Sequence, residues 1–210
     1  MTRMYIFKRF ERFWHWMQAA LILFMLLTGF EVHGTYILLG WEKAANLHTT
    51  AAWTLIGLWL FAIFWHFTTG EWKQYIPTTE KVAAMMQYYS VGIFTDAPHP
   101  FRVTQLSKHN PLQRLAYLMV KLVINPLIWV SGLLYLYYND LAATKIAGVA
   151  GLSLGSIALV HTAAAFMMLA FLIGHVYLST TGHTPLSHIK AMITGWEDTA
   201  ETAQLSATTD

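Results

Sequence analysis

Apolar residues run through this chain in four long blocks, at about 13–32, 48–67, 111–138 and 152–180. Each block is long enough for a helix to cross the hydrocarbon core of a bilayer. They predict four transmembrane spans. The two segments on one side, between spans one and two and between spans three and four, are short. The segment between spans two and three, roughly 68–110, is long and rich in tyrosine and tryptophan. Within it, residues 79–89 read as an amphipathic helix lying on the membrane surface. Residues 185–196 look similar, and from Glu197 the chain turns acidic and is expected to be disordered. The predicted fold class is all-α: an integral membrane four-helix bundle with cytoplasmic amphipathic helices over residues 1–196, then an acidic tail at 197–210. No internal repeat or low-complexity tract interrupts this plan.

Composition agrees with a membrane setting. Hydrophobic residues make up 56% of the 210 and charged residues 11%, too few charges for a soluble protein of this size. Nothing in the chain points to nucleic acid. There is no cysteine. Thiolate-held iron–sulfur clusters, disulfides and covalent c-type haem are thereby excluded from this chain and would belong to a partner. Met1 to Arg12 leads into a full apolar span, so no cleaved signal peptide is expected. Positive charge sets the orientation. Arg3, Lys8, Arg9 and Arg12 precede span one, Lys73, Lys81, Arg102, Lys108 and Arg114 lie between spans two and three, and Lys190 follows span four. The opposite side has Lys43 and Lys145. Both termini are expected to be cytoplasmic, in a bacterial inner membrane.

Histidine is where chemistry enters. His161 and His175 lie fourteen residues apart on span four, almost four turns, so their rings leave one face of the helix. They are separated by roughly 21 Å along the axis. Imidazole within a membrane is a functional-site candidate by default. Two rings at different depths suit two haem irons, which take axial histidine readily. His15 lies at the cytoplasmic end of span one and His48 opens span two at the periplasmic end. The simplest pairing puts His48 with His161 around an outer haem and His15 with His175 around an inner one. His66 competes for the inner place, being five turns after His48 on the same face. The level of His175 on span two falls near Ala62, which leaves His66 about 6 Å too deep. His15 is therefore preferred, with His66 beside a propionate or a quinone headgroup. Gly29, fourteen residues after His15, is level with the outer haem and would make room for the macrocycle. Met168 lies midway between the two histidines of span four, and Ala164 and Ala165 keep that face shallow.

The bland alternative for a histidine near a membrane surface is a hydrogen-bonded interfacial residue, and that reading is given to His33, His99, His183 and His188. Zinc is disfavoured, since no carboxylate or cysteine lies at the depth of the other four rings. The aromatic content is mostly bilayer belt and core.

With these residues placed, the chain resembles the membrane cytochrome b subunits of bacterial respiratory complexes. The formate dehydrogenase-N gamma subunit and the thiosulfate reductase cytochrome b subunit are the nearest, within a group that includes nickel–iron hydrogenase cytochromes and bacterial cytochrome b561. The resemblance is carried by RFWHWMQAALILFMLLTGF, NLHTTAAW, KHNPLQRLAY, HTAAAFMMLAFLIGH and GHTPLSHIKAMITGWED. It implies two haem b groups on His48 with His161 and His15 with His175, and electron transfer between a periplasmic redox partner and the quinone pool. The partner would be an iron–sulfur or multihaem cytochrome c subunit with its catalytic subunit. The quinone, menaquinone or ubiquinone, would bind on the cytoplasmic side beside the inner haem, lined by Asn110. Gln113 and Tyr117, one and two turns along the same face, are further candidates. The bland alternative for Asn110 is an N-cap, because Asn before Pro at the first helical position is a common helix start. His66, Glu71, His109 and Lys121 are candidates for proton supply. Lys121 lies roughly 13 Å into span three and would snorkel or pair with a propionate. No catalytic side chain is assigned. The tight opening of span two at His48 and the lack of an extended tail favour the thiosulfate-reductase-like branch. The alternatives are a stand-alone cytochrome b561-type quinone oxidoreductase fed by a small diffusing reductant such as superoxide, and a haem-free transporter or assembly protein.

Overall fold

In the computed structural model the described residues are 3–95, 97–101, 103–104, 107–143, 151–182 and 184–198. Arg102, Lys145, His183 and the tail from residue 199 lie outside them. In chain order the elements are β1 (Arg3–Tyr5), α1 (Arg9–Val32), α2 (Trp41–Thr69), α3 (Val82–Ser90), α4 (Pro111–Met119), α5 (Asn125–Leu136), α6 (Tyr138–Ala143), α7 (Leu154–Ser179), α8 (Ser187–Thr194) and β2 (Trp196–Asp198). Among the described residues four helical runs are long and apolar enough to cross a membrane: α1, α2, the continuous run Pro111–Leu136, and α7. The expected all-α membrane class and its four spans stand. The surface helices expected at 79–89 and 185–196 are α3 and α8.

The span edges differ in one consequential way. α2 begins at Trp41, seven residues before the apolar block. Glu42, Lys43 and Asn46 extend the helix because helicity needs backbone bonding, not an apolar side chain. His48 therefore does not open the helix. It sits two turns inside it, and the tight opening that favoured the thiosulfate-reductase-like branch is absent. The start of α2 is organised from α1: one carboxylate oxygen of Glu31 accepts the amides of Leu38, Leu39 and Gly40 at 2.8, 2.6 and 2.8 Å.

The third span is a single run with a π-helical turn at Val120–Ile124. Pro126 explains it. Proline lacks an amide and its ring crowds the carbonyl four residues back, so an unbroken α-helical ladder cannot pass it. The amide of Asn125 instead reaches the carbonyl of Val120, five residues back. At the other end, Asn110 and Gln113 form a reciprocal capping box around Pro111.

The chain forms two compact units. The first holds α1, α2, α8 and the strand pair. Ala44, Ala51, Leu55 and Ala62 form the buried stripe of α2, while Phe61, Phe64 and Phe67 face outward. Small residues inside and large ones outside is the arrangement of helices packing in lipid. α8 is tied to α1, with Arg12 donating to the Ile193 carbonyl at 2.5 Å and the Trp16 indole to Met192 at 3.1 Å. The strands pair antiparallel, Arg3 with Asp198 and Tyr5 with Trp196. They take in the first two residues of the segment expected to be a disordered tail. A buried charge cluster closes this unit. Lys108 Nζ reaches Glu11 at 2.8 Å and Glu71 at 2.9 Å, and Lys8 reaches Glu71 at 2.6 Å. The second unit holds α3 to α7, with Met85, Val120, Ile124, Ile157, Ala164 and Met168 buried.

Candidate haem-ligand histidines

His48 projects from α2 toward α1. Its Nδ1 lies 3.1 Å from the hydroxyl of Thr28. That hydroxyl also bonds the carbonyls of Phe24 at 3.0 Å and Met25 at 3.3 Å. A hydroxyl has one hydrogen. Spent on a carbonyl of the preceding turn, as back-bonding hydroxyls in helices do, it leaves the oxygen to accept from Nδ1 of His48, the tautomer with its lone pair on Nε2. Gly29, placed by depth beside a macrocycle, lies against the candidate ligand itself. It faces the ring of His48: a Cβ there would lie 3.3 Å from Cε1.

His161, on α7, is held in the same manner in the other unit. Its Nδ1 lies 3.1 Å from the Ser131 hydroxyl and 3.1 Å from the Ile128 carbonyl. Ser131 donates to Leu127 and Ile128 of its own helix. A carbonyl can only accept, so Nδ1 again bears the proton. A Cβ on Gly132 would lie 3.1 Å from Cε1 of this ring. The sequence reading missed Thr28, Ser131 and Gly132. Their signal is a Thr-Gly and a Ser-Gly step inside apolar spans, too common to single out before the fold is known.

His15 and His175 have aromatic surroundings. His15 is half-buried, its ring edge-on to Trp16 at 5.1 Å. His175 stacks on Phe171 at 5.6 Å and meets Tyr117 at 6.2 Å. His66 is 7% exposed, between Trp14 and Trp65 at 5.2 and 5.1 Å. Its Nδ1 lies 2.6 Å from the Ala62 carbonyl, so it too is the Nδ1–H tautomer.

Asn110 is an N-cap in this fold. Its side-chain oxygen accepts from the amide of Gln113 at 2.8 Å, and the Gln113 side chain accepts from the amide of Asn110 at 2.9 Å. The Asn110 amide donates to Tyr89 at 3.2 Å. Beyond the cap, rings connect His109 to Tyr117 at 5.0 Å, Tyr117 to His175, and Tyr75 to both His109 and Tyr117 at 5.3 and 6.3 Å. The start of α4 and His175 thus lie within one aromatic chain. Lys121, on the π-turn, has its Nζ 3.1 Å from the centre of the Tyr75 ring. Glu71, outside the spans, belongs to the charge cluster. Burial works to raise its pKa, but the ammonium groups of Lys108 and Lys8 outweigh that and hold it below the ordinary carboxylate value.

Imidazoles with Nδ1–H bound to oxygen and Nε2 carrying its lone pair are the donor set that haem iron takes. A curated relative from Escherichia coli (strain K12), named "Putative cytochrome YdhU", is 31% identical over 201 residues, covering 92% of this chain and 74% of that one. No solved structure matches. The family described as prokaryotic cytochrome b561 matches residues 6–195, from just after the first strand to just past α8, and the chain belongs to that family.

Proposed function

We propose that this chain is the membrane-anchoring, di-haem cytochrome b subunit of a respiratory oxidoreductase complex. It would pass electrons between a periplasmic redox subunit and the quinone/quinol pool, with both termini on the cytoplasmic side of the bacterial inner membrane. Haem b follows from the family; two haems, the quinone and the partner are the proposal. The observation that carries it is the seating of His48 and His161, each with Nδ1 held 3.1 Å from a hydroxyl of a neighbouring helix. These two would hold the outer haem, and His15 with His175 the inner one. His66 is the alternative inner ligand. Its enclosure between two indoles supports His15, which is more open.

Haem b, when bound, supplies the one-electron chemistry. The chain fixes the imidazoles and sets two of them roughly 21 Å apart along α7. On the cytoplasmic side a quinone carbonyl needs a donor. The Asn110 amide has two hydrogens, one of which reaches Tyr89. Gln113 would act by holding Asn110, and Tyr117 by lining the way to His175. The partner would be an iron–sulfur or multihaem cytochrome c subunit with its catalytic subunit. Because the matching family is that of cytochrome b561, a stand-alone quinone oxidoreductase using a small reductant such as superoxide is the second reading. A periplasmic subunit that co-purifies with the chain separates the two.

A pyridine haemochrome assay of the purified chain tests the core of this reading. Two haems per chain are expected. One is lost in both His48→Ala and His161→Ala, and the other in both His15→Ala and His175→Ala. One haem or none in the wild type overturns it. Loss of the inner haem in His66→Ala but not in His15→Ala reverses the ligand choice.

A further inference from the structure

The same two-residue device stands behind both hydroxyl-anchored histidines. Thr28 and Gly29 are consecutive on α1, and Ser131 and Gly132 are consecutive on α5. In each pair the hydroxyl meets Nδ1 at 3.1 Å, and the missing side chain of the glycine admits the Cε1 edge of the same ring. Both hydroxyls are buried and both are turned by a bond to their own helix so that oxygen lone pairs face the imidazole. Back-bonding by itself is an ordinary way to satisfy a hydroxyl in an apolar helix. It does not require a histidine nitrogen at hydrogen-bond distance, nor a glycine at the next position against that ring. The recurrence of all three features in two separate units, one with Thr and one with Ser, assigns them a common task.

We infer that Thr28 with Gly29 and Ser131 with Gly132 are positioning residues for haem ligands, fixing the tautomer and ring orientation of His48 and of His161 and through them haem affinity and redox potential. This rests on the proposed reading of His48 and His161 as the outer-haem ligands. The physical link is direct. An Nδ1–H donated to oxygen makes Nε2 a stronger donor, which favours the ferric state and lowers the potential. At His161 the Ile128 carbonyl shares this proton, so removing the serine hydroxyl weakens the effect without abolishing it.

The test uses full-length purified protein and three readouts: haem retention, midpoint potential by optical titration, and the low-spin ferric EPR signal. Thr28→Val removes the hydroxyl at nearly constant volume, and Thr28→Ser restores it. Haem affinity is expected to fall about 10–100-fold in Thr28→Val. The potential of one haem should rise, its EPR signal should move, and all three should return in Thr28→Ser. Ser131→Ala should shift the same haem in the same direction by less, which keeps the test alive if Thr28→Val does not fold. Wild-type potential and EPR signal in folded Thr28→Val and Ser131→Ala would overturn the inference. If the two variants shift different haems, the seats stand and the pairing of His48 with His161 fails. If His48→Ala keeps every haem, the ligand reading itself fails.

Discussion

Set side by side, the two compact units treat histidine alike and charge differently. Each pins one imidazole through Nδ1 with a hydroxyl and a glycine from a neighbouring helix. Away from that ring they diverge. The first unit buries a lysine between two glutamates, with Lys108 4% and Glu11 8% exposed. The second lays Lys121 on a tyrosine face and closes the start of α4 with neutral amides. A device repeated in different surroundings answers to a shared chemical demand. Devices that differ answer to local packing. The contrast also marks where side-chain removal should hurt most, because a buried ion left alone costs far more than a lost ring contact.

Lys108 is the sharpest place to press. Lys108→Ala leaves the buried carboxylate of Glu11 without its cation, beside a Glu71 that keeps only Lys8, and should cost about 3–5 kcal/mol. Lys121→Met removes a cation from a ring and should cost about 0.5–2 kcal/mol. Denaturation of both variants in detergent, followed by circular dichroism, measures the difference, and equal losses would erase the distinction between the units. The cluster also has a pH signature. The folded pKa of Glu71 is held below its ordinary value of 4.5. Its contribution is therefore complete above that value and is lost as pH falls through the lower, folded one. Glu71→Gln should flatten this acid limb.

The shared device can be pressed as well. Gly132→Ala puts a methyl 3.1 Å from the His161 ring, and Gly29→Ala puts one 3.3 Å from His48. Overpacking of this kind costs about 1–3 kcal/mol, and the closer site should suffer more. Both variants should lose haem at lower denaturant than the wild type, Gly132→Ala first. The reverse order would mean that the two seats are not equivalent.

How far the sequence led can be judged residue by residue. The four spans were legible because lipid demands long apolar runs. Their ends were not, because helices outrun the apolar block, and so His48 was placed at an opening that lies seven residues earlier. The cap at Asn110 was legible as a local motif, Asn-Pro with Gln three residues on. Thr28 and Ser131 were not, since each acts on a histidine twenty or thirty residues away that only packing brings near. The same holds for Lys108, ninety-seven residues from Glu11. For Gly29, depth arithmetic yields height along a helix, and its contact with the His48 ring comes from azimuth, which needs the partner helix.

A small stability effect is expected at Asn110, and it carries the most mechanistic weight. Asn110 has two possible employments, and the structure displays one of them in full: its oxygen caps α4 and its amide reaches Tyr89. If capping is its whole role, Asn110→Leu costs about 1 kcal/mol and leaves quinone kinetics alone. If its amide also serves a quinone carbonyl, re-oxidation of the haems by a quinone analogue slows while both haem spectra stay intact. Asn110→Asp sharpens the choice. Asp keeps an acceptor for the Gln113 amide and so preserves the cap, but an ionised carboxylate has no hydrogen to give. Slow re-oxidation in both variants, with stability lost only in Asn110→Leu, is the outcome expected if the amide serves quinone. Wild-type re-oxidation in Asn110→Asp would confine the residue to its cap and move the donor elsewhere along the aromatic chain that runs from His109 through Tyr117 to His175.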